Sequence, residues 1–383
     1  MRKILIILFF IAGLFANELV ITKYLENKPK ISVQFNGDKN VLKILDMDLK
    51  VLDHFNYKYN DENASFKVDF EYKNNNLTVR YFSGNNLLQT HIYKSNTYAF
   101  FPFLVHKAVY DLNKYFNLPD AKFLIRKVIY SMLVAPKQAN IYISDYTLSY
   151  KKRLISGGLN IFPKWADEKQ REIYYTKLGK YATIYKYNIY TGKKEKILSS
   201  PGLAIVSDVH ENKILITLAP QGLPDIYEYD TVTKKLIRLT KYSGIDVSGK
   251  FWGNKIAFVS DRYGIPFVFS KDLNTGKTIR VLYQGKNQIG VDTFKNLLVV
   301  SVRETNKEFG ENTFNLFLIN KNDDSLKRLT FGGQNMYANF SVDGNSIMFI
   351  KREHFFSKIG IIRLKENKVF YYKLPKILQS FDW

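Results

Sequence analysis

The chain has 383 residues, with 57 Lys and Arg against 35 Asp and Glu, a formal charge of +22, and 15% aromatic residues. The absence of cysteine excludes a disulfide framework, thiolate metal ligands and a cysteine nucleophile, and the ordinary hydrophobic and charged fractions, 46% and 24%, exclude a disordered or fibrous chain. The basic residues are spread along the chain beside Tyr, Ile and Leu, which reads as a solvated basic surface and not as a nucleic-acid-binding segment.

Arg2 and Lys3 precede an apolar run from Ile4 to Leu14, and Ala16 is followed by Asn17 and Glu18. This is the layout of a secretory signal peptide over residues 1–16. The run is shorter than the ~20 residues that a membrane span requires, and no later segment reaches that length without charges. The mature chain is therefore expected to begin at Asn17 and to be exported without a membrane span.

Residues 17–120 read as an α/β domain. Leu19 to Thr22 and Ile31 to Phe35 are short strand candidates, and Ile44, Leu45, Leu49, Leu52 and Phe55 fall at helical spacing. Phe66 to Tyr72, Leu77 to Phe82 and Thr90 to Tyr93 form a meander, with turns at Asn74 to Asn76 and Gly84 to Asn86. Phe103 to Phe116 reads as an amphipathic helix that Leu118-Pro119 ends.

Residues 121–383 carry a repeat. Val128-Ile129-Tyr130-Ser131, Ile173-Tyr174-Tyr175-Thr176, Ile214-Leu215-Ile216-Thr217, Ile256-Ala257-Phe258-Val259, Leu297-Leu298-Val299-Val300 and Ile347-Met348-Phe349-Ile350 start 45, 41, 42, 41 and 50 residues apart. A second strand signal follows each, as in Ile226-Tyr227-Glu228-Tyr229-Asp230. Turns such as Tyr190-Thr191-Gly192-Lys193 and Asn274-Thr275-Gly276-Lys277 come next. Their Gly supplies the positive φ of a hairpin. A third strand leaves the turn, and a fourth element holds an aromatic, as in Phe162-Pro163-Lys164-Trp165 and Gly249-Lys250-Phe251-Trp252. Four short strands per unit, six times over, predict a mainly β fold with a six-bladed β-propeller at the C-terminus. The terminal Ser380-Phe381-Asp382-Trp383 echoes Phe162-Pro163-Lys164-Trp165, so the C-terminal segment is expected to complete a blade and shut the ring.

Little in the chain points to catalysis. The five histidines, His54, His91, His106, His210 and His354, have no partner at metal-ligand spacing and read as isolated surface or half-buried residues. Gly276-Lys277-Thr278 lacks the earlier Gly of a phosphate loop, since position 271 is Lys, and no G-x-S-x-G elbow occurs. No catalytic residue, metal or cofactor is expected. Asp61-Glu62-Asn63-Ala64-Ser65 matches the extended D-x-N-x-S acceptor of bacterial N-glycosylation, which makes Asn63 a candidate modification site; a plain polar loop is the alternative.

The chain resembles the TolB family, periplasmic propeller proteins of the Tol–Pal envelope system. The residues that carry the resemblance are Glu18-Leu19-Val20-Ile21, Asp48-Leu49-Lys50, Val109-Tyr110-Asp111-Leu112, Leu239-Thr240, Leu329-Thr330 with Gly332-Gly333, and above all Phe258-Val259-Ser260-Asp261-Arg262-Tyr263-Gly264 with Pro266. The family's W-S-P-D-G turn survives best at Phe340-Ser341-Val342-Asp343-Gly344. The resemblance implies a monomeric periplasmic adaptor, not an enzyme, that joins a Pal-type peptidoglycan-associated lipoprotein to TolA in support of envelope integrity and constriction at division. It further implies a TolA-binding strand at Asn17, Glu18, Leu19, Val20, Ile21 and Thr22, and a Pal-binding rim. By position in the repeat, that rim includes Asn160, Leu203, Val247, Gln288 and Asn335. Two rival readings stay open: a basic propeller that holds an anionic envelope polymer, and a propeller glycosidase or lyase.

Overall fold

The computed structural model describes residues 28–354, 356–374 and 377–383. The expected strand over Leu19 to Thr22 and the signal peptide lie outside the described residues.

The first unit runs β1 (Lys30–Asn36), α1 (Lys39–Leu52), β2 (Asn56–Tyr59), β3 (Phe66–Lys73), β4 (Asn76–Ser83), β5 (Asn86–Lys94) and α2 (Phe101–Tyr115). The sheet order is β2-β1-β3-β4-β5, and β1 is parallel to both β2 and β3. Asp38 starts α1 by accepting the Asn40 N–H at 2.6 Å, and α1 stops at Asp53, whose φ is 53°. Val41, Ile44, Leu45, Leu49 and Leu52 recur every three or four residues and are all buried. They share a core with Val33, Val68, Phe70, Val79 and Tyr81 of the sheet and Leu104, Val105, Ala108 and Leu112 of α2. Each buried Val, Leu, Ile or Phe among them contributes about 1.5–3 kcal/mol.

Among the described residues, 24 strands then form six blades. The inner strands are Leu378–Asp382 in blade 1, Leu159–Trp165 in blade 2, Ala204–His210 in blade 3, Asp246–Trp252 in blade 4, Asn287–Phe294 in blade 5 and Gln334–Phe340 in blade 6. Outward from each run three antiparallel strands, in blade 3 Lys213–Leu218, Asp225–Asp230 and Leu236–Arg238. The apolar runs that start the sequence repeat are the second strands of the blades, because the inner strand of blade 1 comes from the far end of the chain. Leu378–Asp382 pairs with Val128–Ala135, Phe381 opposite Tyr130 and Asp382 opposite Ile129, which closes the ring as the terminal aromatic motif predicts.

The outer hairpins follow the predicted turn chemistry. Asp272 Oδ1 accepts from the Asn274 and Thr275 N–H groups at 3.0 and 2.9 Å, and Gly276 takes a φ of 73°. Gly276-Lys277-Thr278 is thus a hairpin turn.

The two units share one core. The cluster that begins with Ile31 and Leu49 continues through Phe123, Tyr130, Tyr146, Ile350, Tyr372 and Trp383, which joins the α/β unit to blades 1 and 6. Two histidines lie in this junction, which corrects the reading of all five as isolated. His106 of α2 is fully buried between Asp48 of α1 and Asp145 of blade 1. His54 bridges Asn113 at 2.7 Å and Glu366 at 2.9 Å. Glu366 also accepts from Arg363 at 3.0 Å. These partners stand 39 to 312 residues away in sequence, so no local spacing announces them.

Candidate binding site at the propeller channel

The channel is built by the six inner strands, and each of them slips register against its neighbour. The shifts fall between Tyr174 and Thr176 on the strand facing blade 2's inner strand, Val206 and Asp208, Val247 and Lys250, Ile289 and Val291, Met336 and Asn339, and Leu378 and Ser380. Bulges of this kind re-aim side chains and concentrate beside functional sites. Phe162, Ser248 and Tyr337 hold φ values of 51°, 58° and 55° at these bulges. A left-handed conformation costs a residue with a side chain ~1–2 kcal/mol, so three of the six strands carry strain at the channel wall.

At the end where the inner strands begin, the channel opens into a cavity of about 410 Å³. Its wall is mostly apolar, with Phe162, Leu203, Val206, Val247, Val291 and Phe381. Antiparallel blades place two loop sets at this end: the turns between second and third strands, and the crossovers to the next blade. Those loops carry exposed large apolar side chains, with Phe309 at 89%, Tyr283 at 76% and Phe331 at 75% exposure, joined by Leu223, Ile245 and Tyr263. Exposed large apolar side chains on the loops at the same end as a concave apolar mouth point to an interaction site.

Below the cavity the channel is crossed by a ring of one residue per blade: Asp382, Lys164, Asp208, Lys250, Asp292 and Asn339. Lys164 pairs with Asp382 at 2.8 Å and Lys250 with Asp292 at 2.9 Å, and Lys250 also stands 4.0 Å from Asp208. Each aspartate spends its second oxygen on the next blade. Asp382 accepts the Trp165 N–H at 2.8 Å, Asp208 that of Phe251 at 2.9 Å and Asp292 that of Phe340 at 2.7 Å. The ring alternates acid and base except at Asn339. Burial pushes the Asp208 carboxyl up, against the pull of Lys250 and Lys164. Burial alone would lower Lys164, yet Asp382, Asp208 and Asp292 raise it. On the far side a wider, more polar mouth of about 700 Å³ opens among Trp165, Asp167, His210, Glu211, Phe340 and Trp383.

Of the rim positions expected from the repeat, Leu203 and Val247 line the upper cavity. Asn160, Gln288 and Asn335 do not offer their side chains to a partner: all three are buried and hold the crossover loops from inside. Asn160 Nδ2 donates to Ala139 O at 3.1 Å, and Asn335 Nδ2 donates to Gly332 O at 2.9 Å and Phe314 O at 3.0 Å. Gln288 accepts the Val268 N–H at 2.8 Å and donates to Leu282 O at 3.0 Å. A buried carboxamide that satisfies carbonyls of a crossover is structural. The residues absent from the expected rim are Phe162, Val206, Val291 and Phe381, and the whole ring. Their signal was the fourth repeat element, where Lys precedes an aromatic in two units (Lys164-Trp165 and Lys250-Phe251) and Asp stands at the same place in three (Asp208, Asp292 and Asp382).

The expected TolA-binding residues Asn17 to Thr22 lie outside the described residues. The chain enters them from Lys28, whose Nζ donates to Asp53 at 2.8 Å, and Lys368 of blade 6 holds the other Asp53 oxygen at 2.5 Å. Asn63 lies exposed in the loop between β2 and β3.

These features define a two-domain β-propeller protein with an apolar channel mouth closed below by a ring of ion pairs. Residues 125–316 match the family described as "TolB beta propeller domain". The Tol-Pal system protein TolB of Wolinella succinogenes is 36% identical over 100% of both chains, that of Campylobacter jejuni RM1221 39% over 100% of both, and that of Helicobacter hepaticus 39% over 90% of this chain and 88% of its own. The crystal structure of TolB from Acinetobacter baumannii shares the fold, with a TM-score of 0.73 at 17% identity, over 93% of this chain and 96% of that one. The chain belongs to the TolB family of the Tol–Pal system.

Proposed function

We propose that this chain is a periplasmic adaptor of the Tol–Pal system and not an enzyme. It docks a Pal-type peptidoglycan-associated lipoprotein on the upper mouth of the propeller and offers residues 17–22 to a TolA-type protein. Linking the two supports envelope integrity and outer-membrane constriction. The observation that carries this reading is the apolar upper mouth, walled by Leu203 and Val247, with Phe309, Tyr283 and Phe331 exposed on loops at the same end of the blades. A concave apolar centre with exposed aromatics on the loops at the same end suits a protein hot spot, where a few side chains fill pockets and surrounding contacts exclude water. The short apolar run Leu19-Val20-Ile21 within residues 17–22 supports the second contact, since a segment of that composition can add as a strand to an exposed sheet edge through main-chain hydrogen bonds.

The formal charge of +22 favours one competing reading, retention of an anionic envelope polymer. A pull-down from detergent-solubilised envelopes separates the two. The mature chain should recover a Pal-type lipoprotein and a TolA-type protein, and deletion of residues 17–22 should lose only the second. Recovery of polysaccharide alone, released by moderate salt, would replace the adaptor reading.

A further inference from the structure

The D-x-N-x-S segment at Asp61 to Ser65 plays no part in the channel, and its setting in the fold is that of an acceptor for a glycan. The sequence holds three Asn-x-Ser/Thr tripeptides, at Asn63, Asn76 and Asn339. An acceptor asparagine has to lie on a surface loop that an enzyme can grasp, and the three differ sharply on this point. Asn76 is the first residue of β4, half-buried and registered between Lys73 and Lys94. Asn339 lies half-buried on the inner strand of blade 6, inside the channel. Asn63 is exposed in the short loop that joins β2 to β3.

The loop is presented from a firm base. At one end the Asn60 N–H donates to Val33 O at 3.1 Å, and at the other Ser65 O accepts the Gly84 N–H at 2.8 Å. Between them the ordering bonds are few and weak: the Asn63 N–H reaches Asp61 Oδ1 at 3.1 Å, and the Ala64 N–H reaches Asp61 O at 3.4 Å. Among the described residues the Asn63 carboxamide makes no hydrogen bond, so nothing has to be broken to present it. Exposed turn bonds of this kind open at little cost. The acid at the second position before the asparagine is also specific to this site: Asp61 precedes Asn63, whereas Asn74 precedes Asn76 and Tyr337 precedes Asn339.

We propose that Asn63 is a site of N-linked glycosylation by a bacterial oligosaccharyltransferase of the class that requires an acidic residue at this position. The donor is an oligosaccharide carried on a polyprenyl pyrophosphate. The Asn63 amide nitrogen attacks the anomeric carbon of the glycan and forms the C–N bond. The bond from that carbon to the pyrophosphate oxygen breaks, its electron pair leaves on the polyprenyl pyrophosphate, and the amide nitrogen gives up one proton to a base of the transferase. Asp61 is a recognition residue that the transferase reads, and Ser65 completes the acceptor tripeptide. The glycan would sit on the α/β unit, outside the inner strands that build the channel.

The test is intact-mass spectrometry of the full chain, recovered from the periplasm of cells that also express such a transferase and its lipid-linked oligosaccharide, beside a known acceptor protein. The wild type should gain the mass of one glycan, and so should Ser65→Thr. Asn63→Gln and Asp61→Ala should stay at the unmodified mass while keeping the wild-type circular-dichroism spectrum, since all three positions lie in one loop outside the core. The proposal is overturned if the wild type stays unmodified while the control acceptor is glycosylated, or if the added mass survives Asn63→Gln.

Discussion

His106 of the α/β unit and Asp145 of blade 1 meet across the junction at 3.2 Å, both without solvent exposure. The other ring nitrogen of His106 lies 2.8 Å from Asp48. Both partners are carboxylates, so both ring nitrogens donate and the imidazole is held as a cation. Tyr146 donates to the same Asp48 carboxylate, and Thr147 and Tyr150 satisfy Asp145 through their N–H groups. The contact between the two units is thus electrostatic at its centre and apolar around it.

This arrangement sets a pH dependence. Burial would lower the His106 pKa, but Asp48 and Asp145 overcome it and hold it up at about 9, above the ordinary value of about 6.5. A raised histidine contributes stability that is complete below about 6.5 and is lost as pH rises through about 9. Asp145, opposed by burial but lowered by His106 and Thr147, contributes above its unfolded value and loses that contribution as pH falls. Asp48 is raised by burial and works the other way. Urea denaturation from pH 6 to 10 should show the wild type losing stability through pH 9, and His106→Gln should show a flatter profile.

The channel ring gives a second expectation. Lys250→Met leaves Asp208 and Asp292 facing each other without their shared cation. Removing one member of a buried ion pair costs about 3–5 kcal/mol. The loss should be largest near pH 8 and shrink towards pH 5, because the Asp208 carboxyl, which burial already pushes up, loses the opposing pull of Lys250 and takes up a proton. Equal losses at both pH values, measured by urea denaturation, would show that the ring carries no electrostatic weight.

Asn335→Ala tests the crossover contacts. The carboxamide serves Gly332 O and Phe314 O, and leaving such buried acceptors unpaired costs about 1–3 kcal/mol. A fall of several degrees in Tm is expected, with partner affinity reduced far less than by a change at Val247.

The fold was legible because its signals are local. A four-residue apolar run every 41 to 50 residues marks the second strand of each blade, and Ile44, Leu45 and Leu49 mark α1 by spacing alone. The segment Asn56–Tyr59 was not legible: it is Asn-Tyr-Lys-Tyr, largely exposed, and is a strand only because β1 pairs with it. The ring was hidden for a related reason. Its members are single polar residues 42 to 47 apart, five of them charged, each of which reads as surface until closure of the propeller turns them inward. His54 and His106 depend in the same way on partners that only the assembled junction supplies. The expected rim positions Asn160, Gln288 and Asn335 sit at the right turn of the repeat, yet the bulges decide which neighbours face the channel.

The most direct measurement is calorimetric titration of the soluble domain of a Pal-type lipoprotein into wild type, Val247→Asp in the upper mouth and Glu211→Lys in the lower one, after each variant is shown to be folded. Docking on the upper mouth predicts at least about thirtyfold weaker binding for Val247→Asp, the ~2 kcal/mol of a hot-spot residue, and wild-type binding for Glu211→Lys. Wild-type affinity in Val247→Asp together with lost binding in Glu211→Lys would contradict the assignment and move the partner to the opposite face.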